Sequence, residues 1–281
     1  MSLYQFAVFG NPVAHSVSPL LHQFFAQSCG ISLQYQKITV PEDQFSNYVQ
    51  DFFAKGGRGL NITVPFKLQA YDLAQQLSAR AQSAHAVNTL WMSDSQLQGC
   101  NTDGVGLVND LKRLQRDLSQ SRVLLIGAGG AARGAVLPLL QSSCSALHIA
   151  NRTAHKALNL MHTMHKHASS EQQLSASGLD ELAQLETRFD IIINASASSL
   201  HGQALCLPKH LYSADCLAYD MLYSANGQTA FLEQAAVDGA SQCADGLGML
   251  VYQGAESFYI WLQQRPDAAG ALQYLRHTLQ A

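Results

Sequence analysis

Apolar positions along the first hundred residues alternate between two rhythms. Short apolar runs at 4–9, 33–40 and 58–64 have strand length, and stretches with helical spacing separate them at 18–28, 41–55 and from Pro65 onward. Ser18-Pro19 marks a helix start, with Ser as N-cap and Pro in the first helical position. Residues 87–92 and 96–99 predict a short hairpin. At Asn101-Thr102-Asp103-Gly104 the chain turns into a helix over 105–115, followed by a polar stretch at 116–122. The pattern then restarts. A strand at 123–126 leads through a glycine-rich turn into a helix ending near Leu140, a strand at 146–150 and a helix at 153–167. Strands at 190–194 and 217–221 follow, and two helices, 246–264 and 269–279, close the chain. Strand–helix alternation at this spacing implies parallel βαβ units with right-handed crossovers. The domain boundary is expected near Asp103, with a return crossing near Asp245.

Composition narrows the function. The chain has 281 residues, 47% hydrophobic and 13% charged, with a net charge of −3. That suits one large or two ordinary globular domains and excludes a disordered chain. No Lys/Arg cluster is present, which argues against nucleic acid as partner. The longest apolar runs, 123–126 and 191–193, are far short of a membrane span, and the N-terminus has no signal-peptide pattern. The six cysteines form no C-x-x-C pair. They read as reduced thiols of a cytoplasmic protein, with no metal site expected. His162, His165 and His167 do not share one helical face, so they too predict no metal.

The strongest local signal is Gly127-Ala128-Gly129-Gly130-Ala131-Ala132, directly after the 123–126 strand. It fits the G-x-G-x-x-G/A dinucleotide fingerprint. Gly127 permits the tight turn, Gly129 lets backbone approach a pyrophosphate, and Ala132 allows close helix packing. The helix N-terminus presents N–H groups to the phosphates. The next strand ends Ala150-Asn151-Arg152-Thr153, without the carboxylate that would hold a ribose 2′-hydroxyl. Arg152, helped by Thr153 and Lys156, suits a 2′-phosphate, which favours NADP. Read blandly, Thr153 is only a helix cap and Arg152 a solvated charge.

Three polar motifs precede that loop. Ser16-Val17-Ser18-Pro19 offers two hydroxyls suited to a carboxylate. Asn61-Ile62-Thr63-Val64-Pro65-Phe66-Lys67 places a lysine just inside a helix, where the dipole disfavours a cation. Asp103 opens a helix, where an ordinary N-cap is the competing reading.

In this order the motifs resemble the NADP-dependent shikimate dehydrogenases. The resemblance also draws on Phe9-Gly10-Asn11-Pro12, His22 and Ala86-Val87-Asn88-Thr89. Tyr219-Asp220-Met221-Leu222-Tyr223 and the run from Ala244 to Gln253 complete it, so that it spans essentially the whole chain. It implies a cytoplasmic oxidoreductase that reduces 3-dehydroshikimate to shikimate with NADPH, as a monomer or homodimer. The implied fold is α/β: an N-terminal α/β substrate domain (1–103, completed by 246–281) and a Rossmann-type NADP-binding domain (104–245), with a cleft between them and the C-terminal helices returning to the first domain. Ser16, Ser18 and Tyr223 would hold the substrate carboxylate, and Thr63, Asn88, Asp103 and Gln253 its hydroxyls. Lys67 and Asp103 would be the catalytic pair. Gly127, Ala128, Gly129, Gly130, Ala131, Asn151, Arg152, Thr153 and Lys156 would bind NADP, with Met221 and Gly246 beside the nicotinamide. Two departures stand out. Ala79 occupies a position that is acidic in many relatives, and 194–200 lacks the Thr and Gly common there.

Overall fold

The computed structural model describes residues 4–196, 198 and 202–280. It resolves into two compact units, each built around its own sheet. One comprises the chain up to Gly106 together with Leu250–Thr278; the other is Leu107–Met249.

In the first unit the elements are β1 (Tyr4–Gly10), α1 (Ser18–Ser28), β2 (Leu33–Thr39), α2 (Phe45–Ala54), β3 (Gly57–Ile62), α3 (Lys67–Leu73), β4 (Gln76–Leu77), α4 (Ala79–Ala84), β5 (Thr89–Ser93) and β6 (Gln96–Cys100). The sheet order is β2-β1-β3-β5-β6-β4. Strands β1, β2 and β3 run parallel, whereas β5 is antiparallel to both β3 and β6. Helix α5 (Asp103–Arg113) starts in this unit and continues into the next. Phe9, Leu60, Ile62 and Leu90 from the strands pack with Phe45 of α2 and with Phe66 in one core.

Several boundaries differ from the sequence pattern. Pro41 does not open α2: a short 3₁₀ turn at Glu42–Gln44 intervenes. Residues 64–66 form a turn, so α3 begins at Lys67 itself. Ser18 is not an N-cap, because Val17 occupies that position and no side chain caps α1.

The second unit carries β7 (Arg122–Ile126), α6 (Gly130–Gln141), β8 (Ala146–Asn151), α7 (Ala154–Met164), β9 (Gln173–Gly178), β10 (Phe189–Asn194), β11 (Tyr212–Asp220), α8 (Ala230–Asp238) and β12 (Gln242–Ala244). Helix α9 (Leu247–Leu262) begins there and ends in the first unit, which α10 (Ala268–Gln280) completes. The sheet of the second unit is wholly parallel, in the order β12-β11-β10-β7-β8-β9. That is the doubly wound order 3-2-1-4-5-6 read from the other edge.

The central strands read as unbroken apolar runs because both faces are covered. Val123, Leu125, Ile191 and Ile193 enter one core with α6 and α7, and Leu124, Ile126 and Ile192 enter a second with α8. Among the described residues, no helix is long and apolar enough to cross a membrane.

Candidate active site

The first unit gathers four of the expected site residues into one hydrogen-bonded cluster. Lys67, first in α3, directs its ammonium 2.6 Å from Asp103 Oδ2. Asn88 Nδ2 donates to the other carboxylate oxygen, Oδ1, at 2.7 Å, and to Gln253 Oε1 at 3.2 Å. Asp103 therefore does not serve as a helix cap. It is the first residue of α5, and its backbone N–H donates to Asn101 Oδ1 at 3.1 Å, while both its carboxylate oxygens face side chains. Asp103 is nearly buried and Lys67 partly so, at 10% and 29% side-chain exposure. A charge pair at this depth is screened by water far less than a surface pair.

Asn88 is fixed from its other side as well. Its Oδ1 accepts from the Thr102 backbone N–H and from the Thr89 hydroxyl, both at 2.9 Å. Thr89 in turn lies 2.8 Å from the Ser257 hydroxyl, and sequence reasoning gave none of Thr102, Thr89 and Ser257 a role in the site. All three are fully buried, and buried hydroxyls take hydrogen-bond partners, but nothing local in the sequence marks them.

Ser16 and Ser18 stand together, with the Ser16 hydroxyl donating to Ser18 Oγ at 3.1 Å. Ser18 also meets Tyr35, whose hydroxyl donates to Asn61 Oδ1 at 2.7 Å. Thr63 follows β3, its methyl lying where a Cβ on Gly10 would project. His22 is stacked on Tyr35 with ring centroids 4.4 Å apart. Burial pushes the His22 pKa down to about 3, an effect Asn61 partly offsets, so the ring is neutral. Ala79 is the exposed first residue of α4.

In the second unit, Gly127 has φ of +120°, a conformation only glycine adopts easily. A Cβ there would also press on the Ala195 carbonyl. Gly129 is the N-cap of α6, and a Cβ on Gly129 or Gly130 would meet nothing within 4 Å. The loop thus offers open backbone and a helix N-terminus to an anion.

A cavity of about 740 Å³ opens over it, lined by Gly127 to Ala131, by Asn151, Arg152, Thr153 and Lys156, and by residues following β9 and β10. It sits at the carboxyl ends of β7, β8 and β10, where the strand order reverses. Thr153 occupies the N-cap of α7 yet makes no capping hydrogen bond through its side chain. Leu179, Gln203 and Leu205 also line this cavity and were not foreseen, and Ser196 and Ser198 line it from the divergent stretch 194–200.

Met221 and Gly246 are not in that lining. They lie along the same sheet edge after β11 and β12, so close that a Cβ on Gly246 would strike the Met221 carbonyl. Tyr223 is half-buried in this unit too. Burial, and then the Asp245 charge, raise its pKa. Of the divergent stretch 194–200, residues 197, 199 and 200 lie outside the described residues.

The chain matches three family models in sequence order. These are the shikimate dehydrogenase substrate binding domain over 8–90, shikimate/quinate 5-dehydrogenase over 110–202, and the shikimate 5′-dehydrogenase C-terminal domain over 246–275. It is 51% identical to the shikimate dehydrogenase (NADP(+)) of Bordetella avium strain 197N, over 100% of this chain and 98% of that one. The crystal structure of an Ael1 enzyme from Pseudomonas putida superposes with a TM-score of 0.89 at 41% identity, covering 97% of this chain and 98% of the other. Shikimate 5-dehydrogenase from Thermus thermophilus, solved in complex with NADP(H) and shikimate, gives 0.83 at 30% identity, over 98% and 99%. The chain belongs to the shikimate dehydrogenase family.

Proposed function

We propose that this chain catalyses the reversible NADPH-dependent reduction of 3-dehydroshikimate to shikimate, with Lys67 and Asp103 as the catalytic pair. The observation that carries the reading is the 2.6 Å contact between Lys67 Nζ and Asp103 Oδ2, with Asn88 holding the remaining carboxylate oxygen. Reducing a ketone builds negative charge on its oxygen. A cationic donor fixed beside that oxygen stabilises the transition state more than the ground state. Lys67 is that donor, and Asp103 fixes its position and balances its charge. Ser16, Ser18 and Tyr223 hold the substrate carboxylate in this reading. Thr63, Asn88, Asp103 and Gln253 hold the ring hydroxyls.

The cavity over the glycine loop fits NADP. Its lining carries two cations, Arg152 and Lys156, and among the described residues no carboxylate. A 2′-phosphate is therefore matched there by charge, and a bare 2′-hydroxyl is not. Gly127, Ala128, Gly129, Gly130 and Ala131 would take the pyrophosphate, Asn151 to Lys156 the adenosine end, and Met221 and Gly246 the nicotinamide end. The cofactor supplies the hydride when bound. On this reading residues 1–103 and 246–281 serve the substrate and 104–245 the cofactor, in a cytoplasmic monomer or homodimer.

The test is a spectrophotometric assay of shikimate oxidation with NADP and NAD in parallel, and with quinate as alternative substrate. Turnover of shikimate with NADP, far above that with NAD or quinate, is expected. Absence of shikimate turnover by folded protein would overturn the reading.

A further inference from the structure

The Asn88 carboxamide stands at the end of a buried chain of hydrogen bonds. Tyr35 Oη donates to Asn61 Oδ1 at 2.7 Å, and Asn61 Nδ2 donates to Ser257 Oγ at 3.1 Å. Ser257 Oγ lies 2.8 Å from Thr89 Oγ1. A hydroxyl has one proton to give. The Thr89 hydroxyl donates to Asn88 Oδ1 at 2.9 Å, so at the shared contact Thr89 can only accept; Ser257, whose hydroxyl also reaches the Gln253 carbonyl at 3.1 Å, is the group that can donate there. Asn88 Nδ2 then donates to Asp103 Oδ1, and Asp103 Oδ2 takes the Lys67 ammonium. Chains of this kind polarise their members cooperatively, all the more in a water-poor interior. Thr89 and Ser257 are fully buried.

We propose that Thr89, oriented by Ser257, is a positioning residue that locks the Asn88 carboxamide with its NH₂ toward Asp103. The proposal rests on Asn88 and Asp103 serving the reaction as described above. A carboxamide turned end for end would bring its oxygen against Asp103 Oδ1 and its NH₂ against the Thr102 N–H and the Thr89 hydroxyl. Thr102 holds one acceptor direction of Asn88 Oδ1 and Thr89 the other. Removing Thr89's hydroxyl leaves Asn88 Oδ1 held from the Thr102 side alone, by its backbone N–H at 2.9 Å and its hydroxyl at 3.2 Å, so that the amide can tilt away from the Asp103–Lys67 pair. Catalytic geometry is sensitive to small displacements of this kind.

The experiment is a double-mutant cycle on shikimate oxidation, read as kcat/KM with circular dichroism on every variant. Thr89→Val keeps the shape and removes the hydroxyl. It should lower kcat/KM about 5–20-fold, which is about 1–2 kcal/mol at 1.36 kcal/mol per decade. Thr89→Ser restores the hydroxyl and should return activity to within about 2-fold. In an Asn88→Ala background Thr89→Val should cost less than about 2-fold, because the group it positions is gone. A purely structural loss would instead be as large in that background as in the wild type. If Thr89→Val does not fold, Ser257→Ala takes its place in the cycle, with an expected loss of about 2–5-fold that vanishes without Asn88.

Wild-type activity in Thr89→Val (or in Ser257→Ala where it stands in), equal damage in Thr89→Ser, or an undiminished loss in the Asn88→Ala background each overturns the positioning role alone. Full activity of Asn88→Ala itself would remove Asn88 from the site and the proposal with it. Absence of wild-type turnover would strike the functional reading instead.

Discussion

Asp103→Asn is the sharpest single test of the catalytic pair. Asp103 presents two acceptors to two donors, Lys67 Nζ at 2.6 Å and Asn88 Nδ2 at 2.7 Å. Asparagine offers one acceptor and one NH₂. Either orientation sets that NH₂ against a donor, so one of the two hydrogen bonds is replaced by repulsion. A bond to a charged group contributes about 1.5–3 kcal/mol. Loss of a positioned acid–base group costs about 10²–10⁴ in rate, or roughly 3–5 kcal/mol at 1.36 per decade. We therefore expect kcat to fall about 10³-fold, with the shikimate Kd changed far less, since the interaction matters most as charge develops.

Lys67→Met, which keeps the aliphatic stem, should give a loss of similar size. Because the two groups act as one unit, the double variant should be no slower than the worse single variant. Stability should fall as well, by up to about 3–5 kcal/mol in a single variant, because removing one partner leaves the other charge largely buried and unpaired. Steady-state rates, calorimetric shikimate binding and thermal melts of the three variants make the assay. A kcat for Asp103→Asn within about 5-fold of wild type, or losses that multiply in the double variant, would refute the pairing.

Three further expectations follow from other parts of the molecule. Arg152→Ala should raise KM for NADP about 10–100-fold and leave NAD use nearly unchanged, as expected for one lost phosphate contact; equal losses with both cofactors would show that Arg152 does not read the 2′-phosphate. Gly248→Ala would place a methyl on the Asp110 carboxylate, which is fully buried and accepts from the Tyr219 hydroxyl at 2.7 Å; an overpacking cost of about 1–3 kcal/mol, visible as a lower Tm, should outweigh the better helix propensity of alanine. Burial lowers the pKa of His22 to about 3 and of His148 to about 4, from 6.5. Both rings are neutral in the folded protein, so the unfolded chain binds more protons between pH 4 and 6.5, and stability is full above 6.5 and lost as pH falls through that window. His148 alone accounts for about 3 kcal/mol at 1.36 per unit. Urea unfolding measured from pH 4 to 8 should show this slope, and a flat profile would sink the account.

What could be read from sequence follows from how each part is built. β7 and β10 announce themselves because their residues enter two cores alternately, leaving no polar position to interrupt the run. β9, β12 and β4 went unseen for the opposite reason: each is a sheet edge, and two of them are only two or three residues long. The omission of β9 carried through to the site, since Leu179, at the carboxyl end of β9, lines the cofactor cavity. Charged and glycine-rich members of the site were visible because their chemistry or backbone freedom is unusual at their positions. Lys67 stood out at a helix start and Gly127 in a tight turn. The hydroxyls behind them were not, because a buried threonine or serine reads as filler until its partner is known. Thr89 and Ser257 meet at 2.8 Å across 168 residues of sequence. No local pattern encodes that meeting. It follows only from β5 and α9 packing within one unit, so this layer of the site becomes legible once the fold has been built.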